Sequence, residues 1–209
     1  SVGVRPSSEY MVIMLVSPVG PYFKTGFKPC KVCLSREYDR VAPKGTGRIK
    51  IGGNYAASLV AGEKAHDLGY AVMLYLDPKE KKYLDECGAA NFYGIRGNSY
   101  ITPDSDSILP SITNMSLRQI AEDLGMTVER RNVPYEELES FEETGNCGTA
   151  AVISPIGEKI CDLDNGRVFK YGEPGVPGPK STKLYNHLRG IQLGEVEDTH
   201  GWCEIIEFD

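Results

Sequence analysis

Short β-type runs are interleaved irregularly with helical stretches along this chain. That pattern points to neither an all-helical bundle nor a regular repeat of strand, helix and strand. Residues 10–16 are almost wholly apolar and are predicted to form a strand buried on both faces. Residues 28–34, 71–76 and 126–132 read as further strands, and residues 147–153 as a turn running into one. Residues 91–95 and 99–102 flank Arg96, Gly97 and Asn98, a hairpin signal; residues 159–163 and 167–171 flank Asp164, Asn165 and Gly166 in the same way. Helical patterns cover 54–68, 112–124 and 180–191, with a short acidic helix starting at Pro134 and ending before Gly145. In the first of these, Asn54 is the expected cap, and Tyr55, Leu59, Ala61, Gly62, Ala65 and Leu68 are the expected apolar face. Gly69 and Gly125 stand where helices end. Residues 36–42 read as a loop or short helix. The fold class that follows is α+β, a mixed α/β arrangement with substantial antiparallel content.

Composition narrows the function. The chain has 209 residues, a net charge of −6 and no run of basic residues interleaved with aromatics, so nucleic acid is not the expected partner. The longest apolar run is far too short to span a bilayer, and no signal peptide is visible, so no membrane partner is expected either and the expected location is cytoplasmic. Six cysteines are scattered as free thiols would be, and the Cys30–Cys33 pair reads as two structural thiols in a strand. His66, His187 and His200 show no metal-ligand spacing, and no metal is expected.

The segment with the strongest chemical content is Lys50, Ile51, Gly52, Gly53, Asn54 and Tyr55, reached through Pro43, Lys44, Gly45, Thr46 and Gly47. A lysine on a tightly turned segment can serve as a Schiff-base nucleophile and, once released, as a general base. A solvated lysine beside a flexible glycine pair is the plainer reading of these residues alone. Downstream, Glu86 precedes small residues and a strand, where a carboxylate could pair with a ring nitrogen; Lys79, Glu80, Lys81, Lys82 and Asp85 also allow a charged loop. Ser111, Ile112 and Thr113 open a helix whose first N–H groups lack internal partners and suit a phosphate, or are simply capped. Gly148, Thr149 and Ala150 form a second small-residue turn carrying a hydroxyl, or a plain entrance to a strand.

Taken in order, these four motifs resemble the branched-chain aminotransferases of pyridoxal-phosphate (PLP) fold type IV, and the resemblance covers essentially the whole chain. Residues 16–23 resemble the strand and turn after that family's interdomain linker, and residues 173–180 its approach to the C-terminal helix. The resemblance implies a D-amino-acid-aminotransferase-like fold, of which this chain is the large C-terminal domain, with pseudo-barrel sheets flanked by helices. Residues 1–9 would be a linker remnant and residues 10–209 the PLP-binding domain. Lys50 is then similar to the catalytic lysine that holds the cofactor. Tyr55 would bond the cofactor's phenolic oxygen, and Glu86 its pyridine nitrogen. Ile112, Thr113 and Thr149 would hold its phosphate, and Thr149 with Ala150 the substrate carboxylate. The implied reaction is amino transfer between leucine, isoleucine or valine and 2-oxoglutarate, in a homodimer when full length. The family's N-terminal domain is not in this sequence, so this chain alone is expected to be inactive or nearly so.

Two positions depart from the family's usual pattern. Ser111 stands where glycine is usual and Asn114 where arginine is. The first predicts either a strained turn or an added hydroxyl, and the second a weaker charge near the phosphate. The Cys-x-x-Cys that some members carry after Gly-Thr-Ala is absent; residues 151–154 read Ala, Val, Ile and Ser. Alternatives within the fold are a D-amino-acid aminotransferase or an aminodeoxychorismate lyase. A non-catalytic relative acting as an interaction module is the alternative outside enzymology.

Overall fold

The computed structural model describes residues 3–18, 20 and 26–207. Nine strands and three α-helices are assigned among these residues. The strands are β1 (Cys30–Leu34), β2 (Val72–Leu76), β3 (Leu84–Cys87), β4 (Ala90–Arg96), β5 (Ser99–Pro103), β6 (Thr127–Arg131), β7 (Glu143–Gly148), β8 (Val152–Asp162) and β9 (Val168–Phe169). The helices are α1 (Gly52–Asp67), α2 (Ile112–Asp123) and α3 (Pro179–Leu193), with a 3-10 turn at Tyr135–Ser140.

The sheet runs β3-β2-β1-β8-β7-β4-β5-β6, and β3 also pairs with β4. That extra pairing closes β3, β2, β1, β8, β7 and β4 into a ring. The ring works because β4 is shared along its length: Asn91 and Ala90 face β3, while Gly94, Ile95 and Arg96 face β5. β1 lies parallel to β2 and β8, whereas β3, β4, β7 and β8 pair antiparallel in succession. The expected α+β class and pseudo-barrel are therefore what the chain forms.

Period-two alternation sorts the strand residues into separate cores. Val32 and Leu34 of β1 join Leu74, Leu76, Phe92 and Ile156 in one cluster. Cys33 points the other way and, with Met73 and Tyr75, packs under Ala61 and Ala65 of α1. A third cluster sets Tyr93, Ile95 and Tyr100 against Leu117 and Ile120 of α2 and Leu184 and Leu188 of α3. These helices were legible because their buried residues recur at helical spacing.

Several expectations are corrected. Residues 10–16 are not a buried strand; their side chains are 70–100% exposed, since none of the described strands pairs with them. Of residues 16–23, positions 19 and 21–23 lie outside the described residues. α1 buries Asn54, Ala61 and Ala65 rather than Tyr55, Leu59 and Leu68, and Asn54 does not cap it: the helix begins at Gly52, with Ile51 before it. The acidic helix is only a 3-10 turn, and Glu143–Gly148 beyond it is a strand. Instead of a break before Lys159, β8 is continuous: Pro155 pairs in register with Gly145, and Gly157 falls in a bulge between Ile156 and Lys159, opposite Cys30 and Lys31. Gly69 and Gly125 take left-handed φ angles of 79° and 76°, as expected of helix ends. No helix among the described residues is long and apolar enough to cross a membrane.

Candidate functional site

Lys50 sits on the two-residue step between a turn closed by Ile49 N–H to Thr46 O (2.9 Å) and the first residues of α1. Buried Asn54 reaches back from α1 and holds this step. Its Nδ2 donates to Thr46 O and Ile49 O, both at 2.8 Å, and its Oδ1 accepts from Thr46 Oγ1 at 2.6 Å. Upstream, Gly47 lies flat against the backbone of Ser107, and any Cβ there would overlap the Ser107 carbonyl. The backbone just ahead of Lys50 is thus tied to α1 and to the Ser107 segment. Lys50 and Tyr55 remain solvent-exposed at the mouth of a cleft.

Glu86 lies within β3, ahead of the small residues that lead into β4, and is 3% exposed. Its Oε1 accepts from Leu109 N at 2.8 Å, and its Oε2 pairs with Arg40 Nη1 at 2.9 Å. Burial pushes its carboxyl up to about 7, against the opposing pull of Arg40 and the Leu109 N–H. The neighbouring Asp85 is 1% exposed and accepts from the hydroxyls of Ser105 (2.7 Å) and Ser107 (2.6 Å). Burial raises this carboxyl as well, with both hydroxyls and Arg40 opposing. The charged-loop reading of Asp85 and Glu86 is excluded by this burial.

The start of α2 supplies anion donors. Ser111, with φ −64° and ψ 127°, is an unstrained N-cap whose Oγ accepts from Asn114 N at 3.2 Å. The departure from glycine therefore adds a hydroxyl that serves the helix, not strain. The N–H groups of Ile112 and Thr113 precede the helical ladder and are left for another acceptor. Asn114 is buried and bonds Tyr100 Oη (2.9 Å) and Thr102 Oγ1 (3.0 Å), so it faces the core instead of an anion. Opposite α2, Thr149 and Ala150 form the exposed turn between β7 and β8. That turn ends on Val152, whose φ of 61° is unusual for a β-branched residue.

A cleft of about 660 Å³ brings Lys50, Tyr55, Ile112, Thr149 and Ala150 together. Thr113 is not on its wall; the side chain is buried, leaving its N–H as the relevant donor. Glu86 lines an adjoining recess of about 20 Å³ that shares Lys50, Tyr55, Ala89 and Leu109 with the cleft. Cys30, Cys87 and Cys147 also line the cleft. Burial raises all three thiols, Cys30 to about 11 and Cys147 to about 12, so they form neutral walls at pH 7. All six cysteines are free, and Cys30 and Cys33 lie in different clusters on opposite faces of β1.

The family model of amino-transferase class IV matches residues 3–158. The chain belongs to that family. Among curated class IV relatives, the branched-chain-amino-acid aminotransferase of Haemophilus influenzae is 44% identical over 214 residues, covering 99% of this chain and 61% of the relative. That of Helicobacter pylori is 45% identical over 205 residues, covering 97% and 58%. The chain thus spans about three fifths of these relatives' length. Among solved structures, the Escherichia coli branched-chain amino acid aminotransferase superposes with a TM-score of 0.72 at 30% identity, covering 83% of this chain and 56% of that one. The Thermobaculum terrenum enzyme in its PLP form gives 0.65 at 33% identity, covering 80% and 52%.

Within this class IV frame, sequence reasoning missed three residues of the site: Arg40, the loop-clamping role of Asn54, and Gly47. One signal pointed to Arg40. Two adjacent acids, Asp85 and Glu86, stand between apolar Leu84 and a run of small residues, and buried carboxylates need a cation.

Proposed function

We propose that this chain is the cofactor-binding part of a PLP-dependent branched-chain aminotransferase. One observation carries the reading: Lys50, a buried acid at Glu86 and the uncommitted N–H groups of α2 converge on adjoining walls of one cleft. The donor set fits the cofactor, with an amine for its aldehyde, an acid for its ring nitrogen and helix-start N–H groups for its phosphate. When bound, PLP supplies an electron sink that stabilises negative charge at the substrate α-carbon.

The chain's own residues would do the rest. Lys50 Nζ would hold the cofactor and, when free, would accept the proton from the substrate α-carbon and return it. Tyr55 Oη bonds the phenolic oxygen. Glu86 would face the ring nitrogen, whose positive charge would favour the ionised carboxyl against the burial that raises it. The N–H groups of Ile112 and Thr113, with the Thr149 hydroxyl, hold the phosphate, and the Thr149–Ala150 turn receives the substrate carboxylate. The substrates are leucine, isoleucine or valine with 2-oxoglutarate. Residues 1–9 are read as a linker remnant and residues 10–209 as the large domain, in a cytoplasmic homodimer when full length. The exposure of Tyr55 and Ile112 supports a cleft completed by a further domain, and this chain alone should transaminate slowly or not at all.

Borohydride reduction of the chain with PLP, followed by peptide mapping, tests the reading. Label concentrated on Lys50 is expected. Label spread over surface lysines such as Lys79 would overturn it in favour of a non-catalytic module.

A further inference from the structure

We propose that Arg40 is the positioning residue of this site, a single guanidinium that fastens the lysine loop, the Glu86 carboxylate and the approach to α2 into one unit. What the clamp is for rests on the cofactor reading above; the clamp itself does not. Arg40 is 7% exposed, although it lies in a stretch that reads as a surface loop. Its Nη1 pairs with Glu86 Oε2 at 2.9 Å. Its Nη2 donates to Gly47 O at 3.3 Å and to Ser107 O. Gly47 is in the lysine loop, and Ser107 leads to Leu109, whose N–H holds the other oxygen of Glu86. Each contact thus belongs to a different functional segment.

A second, exposed tie joins the lysine loop to the approach to α2, from Arg48 Nη1 to Asp106 Oδ1 at 3.2 Å, whereas the Arg40 bridge is buried and also holds Glu86. The Gly47 and Ser107 backbones are already in contact, so no side chain from either can enter between them. Ser107 is also tied from below, where its hydroxyl donates to Asp85. The groups whose charge acts on Glu86 are Arg40, Asp85 and Lys50, with the neutral thiols of Cys87 and Cys147 nearby. Asp85 opposes the ionised form of Glu86 and has its own hydroxyl partners, so the cation that compensates Glu86 inside the protein is Arg40, with Lys50 weaker. A lysine at position 40 would restore a charge, but a single ammonium cannot span the carboxylate and two carbonyls as a planar fork does. Charge and bridging are therefore separable by substitution.

The test uses this chain without PLP. Glutamate labelled with ¹³C at Cδ reports each carboxyl by NMR, and the Glu86 signal is assigned by its loss in Glu86→Gln. In Arg40→Gln the Glu86 midpoint should rise by about one pH unit or more. Amide exchange at Ile49 should also speed by about tenfold, as a loss of about 1.4 kcal/mol in local stability requires. Arg40→Lys should hold the Glu86 midpoint near the parent value while keeping the faster exchange at Ile49. An unchanged midpoint and unchanged exchange in Arg40→Gln would overturn the proposal. If Arg40→Gln does not fold, Arg40→Lys decides alone, and parent-like exchange at Ile49 overturns it. Failure of PLP to label Lys50 would sink the cofactor reading and leave these two measurements standing.

Discussion

Asn54 Nδ2 donates to Ile49 O at 2.8 Å, so a side chain from the first turn of α1 secures the backbone just ahead of Lys50. The same amide holds Thr46 O, and both carbonyls would be left without this partner in Asn54→Ala. These are partly buried hydrogen bonds, each worth about 1 kcal/mol, so losing the pair costs about 2 kcal/mol. Asn54→Ala should lower the urea midpoint accordingly and slow borohydride trapping of PLP at Lys50, with other lysines labelled as before. Normal trapping in a destabilised variant would show that Asn54 serves only the fold.

Glu86 makes stability depend on pH with a definite sign. Its carboxyl sits at about 7 in the folded chain against an ordinary 4.5, so the folded state binds the proton more tightly between those values. Stability contributed by this group is full below about 4.5 and is lost as pH rises through 7. The shift corresponds to about 3 kcal/mol. Urea unfolding at pH 5 and pH 8 should show this decline in the parent and a much flatter profile in Glu86→Gln. Only the slope is diagnostic, because Glu86→Gln also leaves Arg40 without its partner. Equal slopes would mean that Glu86 is already ionised at pH 5.

What could be read in advance was local. α2, α3 and the β4–β5 hairpin announce themselves through helical spacing and turn residues such as Gly97. β7 does not: four of its six residues, Glu143, Gly145, Asn146 and Gly148, are poor strand formers. They are strand only because β4 and β8 pair with them on either side. Residues 10–16 erred in the other direction, since an apolar run becomes a buried strand only where a partner meets it. The site divides the same way. Lys50 and Tyr55 are neighbours in sequence and mark themselves, whereas Arg40 gains its meaning from Glu86 and Ser107, which are distant along the chain.

Ser111 should affect helix stability without changing the anion donors. Its Oγ caps Asn114 N, and replacing such a cap by alanine costs about 1 kcal/mol, whereas glycine costs only a few tenths. Ser111→Ala should lower unfolding free energy by that amount, and Ser111→Gly should stay close to the parent. Both should keep the Ile112 and Thr113 N–H groups free, so PLP binding measured by fluorescence quenching should fall less than threefold. A larger fall in Ser111→Gly would mean that the hydroxyl itself touches the phosphate.

Gly47 is the position where the smallest addition should do the most damage. A Cβ there would meet the carbonyl of Ser107, and because the obstacle is backbone, no rotamer change can relieve it. The lysine loop and the approach to α2 must then separate, which also stretches both carbonyl contacts of Arg40. Overpacking of this kind typically costs about 1–3 kcal/mol. Gly47→Ala should therefore lose that stability and also lose Lys50 labelling. Gly52→Ala, where a Cβ meets nothing, should retain the parent's stability within about 0.5 kcal/mol. Equal behaviour of the two variants would show that the lysine loop tolerates movement away from Ser107.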